Sequence, residues 1–593
     1  MAPAIQTATQ NLTYPLYACD FDPQDANRLV VGGGGGANRS GVANKISVLD
    51  ASHLDSLQVV SELDLSREED NVASLAVGPR RRNSIVLFTG INSSPTDVKK
   101  GKNEHFRVFA VDPSSRAKPN PKITELSRTA MLSYTETDAY QRVLRISPAF
   151  PDKPQIGAVA TGLATPPQIA IFDVPTGGAA PKARGRLELA KDPEDLDIIQ
   201  TGEDEYQLVY CDNYEIFRVT IGKKSVSDPH CVFTMPHDED PRPSFRSLRY
   251  LTPTFVLAAA NLPNGRGIVL HGFRLPTADA GSEAKARLAI SAKLPKTKNT
   301  KKATGMAVRN LSPPSSPTAK YGDTQFAIAV SGSDSSITLY KLDHQAVGDV
   351  ELLANLHPVT TIESVHPGAP ISGLVFSHFI PPKTPTMRVL QLKLASVGSI
   401  ANSCVVHSLP LQRLPDKTSA AARRAGPPRQ PRYVLALKSQ GPSSRGLIIT
   451  LGLIALLLAI LGQSLLEVRG APSIIGARRV VPTSWHADYA ANAVNTKHFL
   501  SDYLVGTKLA HHDKVVVLDV DDDAEEIRFD THDEKLHGPA VEWHELPAEQ
   551  KDAWKEKLQR AGHWGEQMGE AVFKGVLFGE IAGAVGNAVR QGL

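Results

Sequence analysis

The residues most suited to chemistry form one run: Val31-Gly32-Gly33-Gly34-Gly35-Gly36-Ala37-Asn38-Arg39-Ser40-Gly41-Val42-Ala43-Asn44-Lys45. Five consecutive glycines permit backbone angles denied to other residues, so carbonyls or amides can converge on a small space. Converging carbonyls would hold a hard cation, and converging amides would cradle an anion. A phosphate-binding Walker loop needs Gly-Lys-Ser/Thr opening a helix, whereas here Gly41 is followed by Val42-Ala43 and a strand-like run. A dinucleotide fingerprint also needs a helix after it. Neither fits. A surface insertion without a role is the competing reading. Apart from Ala43, Val42 is the only apolar side chain between Asn38 and Asn44, so it is expected as an exposed tip that meets a partner.

Other candidates are weaker. Asn92 and His105 flank a second turn and could border a partner surface, although a lone His among strands is more often structural. The basic run Lys296 to Lys302 lacks interleaved aromatics and reads as a solvated loop, so nucleic acid is not an expected partner. The acidic run Asp519 to Glu526 resembles the start of a calcium loop, but Ala524 stands where Gly is needed and a strand precedes it. Asp334, in SGSDSSITLYKLD, reads as a turn former. No Ser/His/Asp or clustered metal-ligand constellation stands out, which disfavours a hydrolase. Four cysteines (Cys19, Cys211, Cys231, Cys404) are too few and scattered for a disulfide scaffold.

The elements that must position these residues are short strands. Paired apolar runs recur: RLVVG and KISVL, SIVLFTG and HFRVFAV, IGAVATG and QIAIFDV, YQLVYCD and EIFRVTI, FVLAAAN and GIVLHGF, FAIAVSG and SITLYKL, LKLASVG and SCVVHSL. Most are preceded by another apolar strand, such as YACDF or VASLAVG. The spacing predicts an all-β fold, a seven-bladed WD-repeat-like β-propeller over residues 1–410, with residues 5–13 a candidate for closing the ring. A closed ring removes exposed sheet edges. The Gly-rich run then lies between two strands of the first blade, where a two-residue hairpin would suffice.

After residue 410 the composition changes. Residues 411–445 are rich in Pro, Ala and Arg and read as a linker. Residues 446–466, GLIITLGLIALLLAILGQSLL, carry no charge, and about 31 Å of helix matches a bilayer core of about 30 Å. The N-terminus lacks the basic and apolar regions of a secretory signal. Lys/Arg flanking the helix favour a cytosolic N-terminal side only weakly, and all four cysteines lie on that side. The sequons at Asn11, Asn38, Asn92 and Asn310 would then go unused. The expected topology is single-pass type II, with residues 467–593 a small lumenal tail. Residues 470–593 hold 13 Lys/Arg against 20 Asp/Glu, net −7, which leaves +10 of the overall +3 for the rest. Gly569 to Leu593 is apolar with spaced small residues and is expected as an amphipathic helix.

The stretch Tyr14-Pro15-Leu16-Tyr17, the strand after it and GGGGGANRSGVANKISVL resemble the opening of one family. It is the endoplasmic-reticulum guanine-nucleotide exchange factor family of COPII coat assembly (the Sec-twelve and prolactin regulatory element-binding family). Gly90-Ile91-Asn92-Ser93 and Gly101-Lys102-Asn103-Glu104-His105 are also similar to it, over about residues 14–466. Ala43 stands where a Pro is usual. The resemblance implies a propeller that speeds GDP release from the small GTPase initiating COPII vesicles, by protein contact without covalent chemistry. It implies an exchange element at Gly41, Val42 and Asn44, and partner contacts from Asn38, Arg39, Asn92 and His105. A structural potassium ion would be held mainly by carbonyls of Gly33, Gly34, Gly35 and Gly36, with Asn38. The implied location is the endoplasmic-reticulum membrane. The alternative function is a non-catalytic, membrane-anchored propeller scaffold recruiting coat or cargo-receptor proteins.

Overall fold

The computed structural model describes residues 5–37, 41–80, 83–112, 122–175, 180–238, 240–277, 284–295, 302–348, 350–381, 390–414, 432–437, 444–469, 474–481, 515–519, 527–531, 539–560 and 577–580. The chain divides into two compact units, Met1–Pro442 and Ser443–Leu593.

The first unit is all-β. Its opening strands are β1 (Gln6–Asn11), β2 (Leu16–Asp22), β3 (Asp25–Gly33), β4 (Lys45–Asp50) and β5 (Gln58–Asp64). Then come β6 (Ser74–Val77), β7 (Ile85–Gly90), β8 (Phe106–Asp112) and β9 (Lys122–Thr129). Strands β2 to β5 form one antiparallel sheet in chain order and β6 to β9 the next. Four further four-stranded sheets follow, and a five-stranded one, so the described residues of this unit hold seven sheets. In the last sheet β1 pairs with Ser403–Leu414, from Gln6 opposite Ser408 to Asn11 opposite Ser403. The N-terminal strand closes the set, as its sequence suggested.

Packing explains the apolar pattern. The innermost strand of each sheet touches that of the next, and Ile371–Phe376 returns to β2. The middle strands are therefore covered on both faces, and β7 is buried at every residue. Such strands read as unbroken apolar runs. Val30, Ile46 and Val48 interdigitate with Leu75, Leu87 and Phe109 of the second sheet, while Leu29 and Val31 meet Val397, Cys404 and Val406 of the last. Outer strands differ. Strand β5 (QVVSELD) is half-exposed, so its apolar residues are sparse.

Two sequence boundaries need correction. The final long strand continues to Leu414, and Arg432–Leu435 returns to pair with its end, Leu435 opposite Leu411. Tyr433 and Leu435 are buried beside Phe379 and Leu411, so part of the expected linker belongs to the β-fold. Apolar burial outweighed a polar, Arg-rich local composition.

In the second unit, a helix spans Ser444–Val468, and its stretch Ile449–Val468 contains an 18-residue window with a mean hydropathy of 2.3. This is long and apolar enough to cross a membrane. A small mixed sheet pairs Val515–Asp519 with Ile527–Thr531 antiparallel and with Leu577–Glu580 parallel. The helix Ala548–Arg560 supplies Trp554 and Leu558 to a core with Val517, Trp543 and Phe578. Within the apolar C-terminal stretch, Leu577–Glu580 is thus a strand rather than amphipathic helix, because a buried partner strand accepts it on its edge. The acidic residues 521–526 lie outside the described residues.

Candidate functional site: the loop between β3 and β4

The glycine run leaves β3 at Gly33 and the chain re-enters sheet at Lys45. The glycines are required by close approach. A Cβ at Gly33 would stand 1.9 Å from the Pro15 carbonyl oxygen, and one at Gly34 would stand 2.2 Å from Asn44 Oδ1. Gly34 and Gly36 also take φ of +140° and +75°, which side chains resist. The Gly34 amide donates to Pro15 O at 2.9 Å, and the Gly36 amide donates to Asn44 Oδ1 at 2.9 Å.

Asn44 is the keystone. Fully buried, it accepts from Gly36 and donates through Nδ2 to the carbonyls of Ser66 (3.0 Å) and Glu69 (2.9 Å). Its own carbonyl accepts from the Leu65 amide at 2.8 Å. The loop is thereby clamped to the segment joining the first two sheets. That segment is fixed in turn. Glu69 accepts from Arg107 and from Arg128, each at 2.7 Å, and Arg107 is fully buried. Burial alone would raise the Glu69 pKa, but the two guanidiniums outweigh it and lower it.

Asp70 closes the underside of the loop. Its Oδ1 lies 3.0 Å from the position a Gly36 Cβ would take, and it accepts from the Asn71 amide at 2.8 Å. Burial raises its pKa, and among the described residues no cation pairs with it. The Gly34 and Gly36 amides are engaged by protein acceptors, so these two are not free to cradle an anion.

Asn92 and His105 are placed differently from expectation. Both are buried, so neither borders a partner surface. Asn92 donates to Ala139 O at 2.8 Å and to Asp70 Oδ2 at 3.4 Å. Its Oδ1 accepts from Tyr134, Gln141 and Asn103. His105 Nε2 accepts from the Leu132 amide at 2.9 Å, and burial lowers its pKa to about 3. A short helix, Pro95–Lys99, capped by Ser94, fills the turn between them. The pair holds the second sheet's loop, and through Asp70 it reaches the glycine loop.

Gly41 is exposed, with nothing near its Cβ position, and Val42 follows it half-buried. Val42 packs on the cluster of Tyr14, Leu16 and Val31, which corrects the fully exposed tip expected from sequence. Asn38 and Arg39 lie outside the described residues. Sequence reading missed Glu69, Asp70 and Arg107. The signals were the acidic run Glu68-Glu69-Asp70 shortly before an apolar strand, and one Arg inside the apolar run FRVFAV. Asp334 is the turn former expected, its Oδ1 accepting from the Ser336 amide at 3.2 Å.

No known family profile matches the chain. The guanine nucleotide-exchange factor SEC12 of Candida glabrata is 27% identical over 270 residues, 44% of this chain and 52% of that protein. The chain thus spans about half the length of this relative. Among solved structures, the β-propeller domain of Myceliophteria thermophila Cps50 (Swd1) is 12% identical, covering 68% of this chain and 98% of that one at a TM-score of 0.34. The WD40 domain of SCAP from fission yeast is 9% identical, covering 68% and 87% at a TM-score of 0.35. These two structural likenesses are too distant to bear on function.

Proposed function

We propose that residues 1–442 form a seven-bladed β-propeller that acts as a guanine-nucleotide exchange factor on the small GTPase initiating COPII assembly. The observation that carries this reading is the loop. A glycine-rich insertion is clamped at its base through Asn44 and leaves Gly41 exposed at its turn. Beside it stands the 27% identity, over 270 residues of this chain, to a relative named as an exchange factor.

Exchange by this loop makes or breaks no covalent bond. It requires a surface that binds the nucleotide-free GTPase more tightly than the GDP-bound form, which lowers the barrier to GDP loss. Gly41 and Val42 would enter the nucleotide side of the GTPase, with Asn38 and Arg39 flanking them. Asn44, Glu69 and Arg107 fix the base of the loop beforehand, which would lower the ordering entropy that opposes binding. A potassium ion would be held, as the resemblance implies, by carbonyls of Gly33 to Gly36 with Asn38, and Asp70 lies beside Gly36. When bound, it would supply positive charge to keep those oxygens together.

The apolar helix would anchor the propeller in the endoplasmic-reticulum membrane, single-pass and with the propeller cytosolic. Confinement raises the local concentration over a membrane-bound partner. The test is fluorescence-monitored GDP release from the GTPase with residues 1–442. Acceleration supports the reading, and an unchanged rate removes it.

A further inference from the structure

The end of the apolar helix carries an unusual feature. Glu467 sits in its last turn, an acid at the foot of a hydrophobic segment, yet it is fully buried. Its carboxylate accepts from three backbone amides of a later turn: Ile474 and Ile475, each at 2.5 Å, and Ala477 at 2.7 Å. A carboxylate taken out of water needs such donors, and three charge-assisted bonds make a strong clamp. The turn continues as a 3-10 segment, Ala477–Arg479, entered through Gly476 at φ +78°. Its apolar side chains are not folded inward. Ile474 is 77% exposed, Ile475 49% and Val480 87%. Arg469 precedes all three, and Arg479 stands between Ile475 and Val480.

We propose that this clamped turn is an interfacial anchor. Glu467 holds residues 474–480 against the end of the span, so that Ile474, Ile475 and Val480 enter the boundary between headgroups and acyl chains. The two arginines stay at the phosphate level. The occupant is lipid because the clamp ties the turn to the last turn of a helix whose outer surface is itself apolar. Exposed apolar side chains at the end of a span suit the acyl boundary, and Arg near a helix end reaches the headgroups. The anchor would fix the depth and rotation of the helix, which a uniformly apolar span leaves free. It rests on the membrane reading of Ile449–Val468.

The test uses the full chain in vesicles of alkyne-tagged phosphatidylcholine, with a benzophenone amino acid placed singly at position 457, 475, 480 or 551. The expected result is ultraviolet-dependent lipid adducts at 457, 475 and 480, at least five-fold above position 551 on the Ala548–Arg560 helix. Glu467→Gln should cut the adducts at 475 and 480 several-fold and leave 457 unchanged. Adducts at 457 without any at 475 and 480 would overturn the anchor and leave the span intact. No adduct at 457 would overturn the span itself. Unchanged adducts in Glu467→Gln would overturn the clamp.

Discussion

Asn44 gathers three side-chain hydrogen bonds in a site closed to water, so its loss leaves the Gly36 amide and two carbonyls unpaired. Each unpaired buried group costs about 1–3 kcal/mol. Asn44→Ala should therefore lower the stability of residues 1–442 by at least about 3 kcal/mol in urea unfolding and slow exchange together with it. The same loss of stability with normal exchange would separate the clamp from the activity. His105 gives a test by pH. Burial holds its folded pKa at about 3, against about 6.5 unfolded, so only the unfolded chain takes up the proton between those values. Stability is then intact above pH 6.5 and falls as pH drops toward 3. At pH 5 the contribution of His105 is about 2 kcal/mol of lost stability. Asp20 works the other way, because burial raises its pKa to about 6 and the folded state gains the proton first. His105→Gln isolates the histidine: the fall in stability from pH 7.5 to pH 5 should shrink by that amount relative to the parent.

At the scale of elements, the middle strands were legible and the edges were not. FVLAAAN and FAIAVSG, buried on both faces, announce themselves as apolar runs. Lys182–Glu188 (KARGRLE) forms an outer strand with hardly an apolar residue, held by its neighbour's backbone rather than its own side chains. Asp195–Gln200 (DLDIIQ) was hidden for another reason. Its acid is satisfied across sheets by Arg249, and by Ser247 Oγ at 2.5 Å, partners that lie some fifty residues away. The return strand Arg432–Leu435 was hidden by its Pro-rich approach. A fragment ending at residue 410 should consequently be less stable than residues 1–442, by more than the roughly 3 kcal/mol expected from removing buried Tyr433 alone. Equal midpoints in denaturant would make that strand dispensable. The loop as an element invites an ionic test. If a monovalent cation organises Gly33 to Gly36, exchange should be weaker in lithium than in potassium at equal ionic strength. Equal rates would leave the loop to its hydrogen bonds.

Along the whole chain, a loop clamped at its base is followed by a helix long and apolar enough to cross a membrane. The glycines, Gly41, Val42 and Asn44 were visible in sequence, because a long insertion between two strands needs a reason. The support from Glu69, Asp70 and Arg107 was not, since their meeting depends on how the first two sheets pack. Half-burial of Val42 modifies what a charge there should do. Val42→Asp is expected to lower the melting temperature slightly, by the few degrees that about 1 kcal/mol represents, and still to leave a cooperative fold. The direct measurement is GDP release from the GTPase, followed by fluorescence, with wild-type residues 1–442 and with the Val42→Asp variant at matched folded concentration. Wild type should accelerate release, and the variant should be slower by at least about ten-fold, because a desolvated contact would receive an unpaired charge. A folded variant that exchanges as fast as wild type would contradict the assignment of this loop as the exchange element.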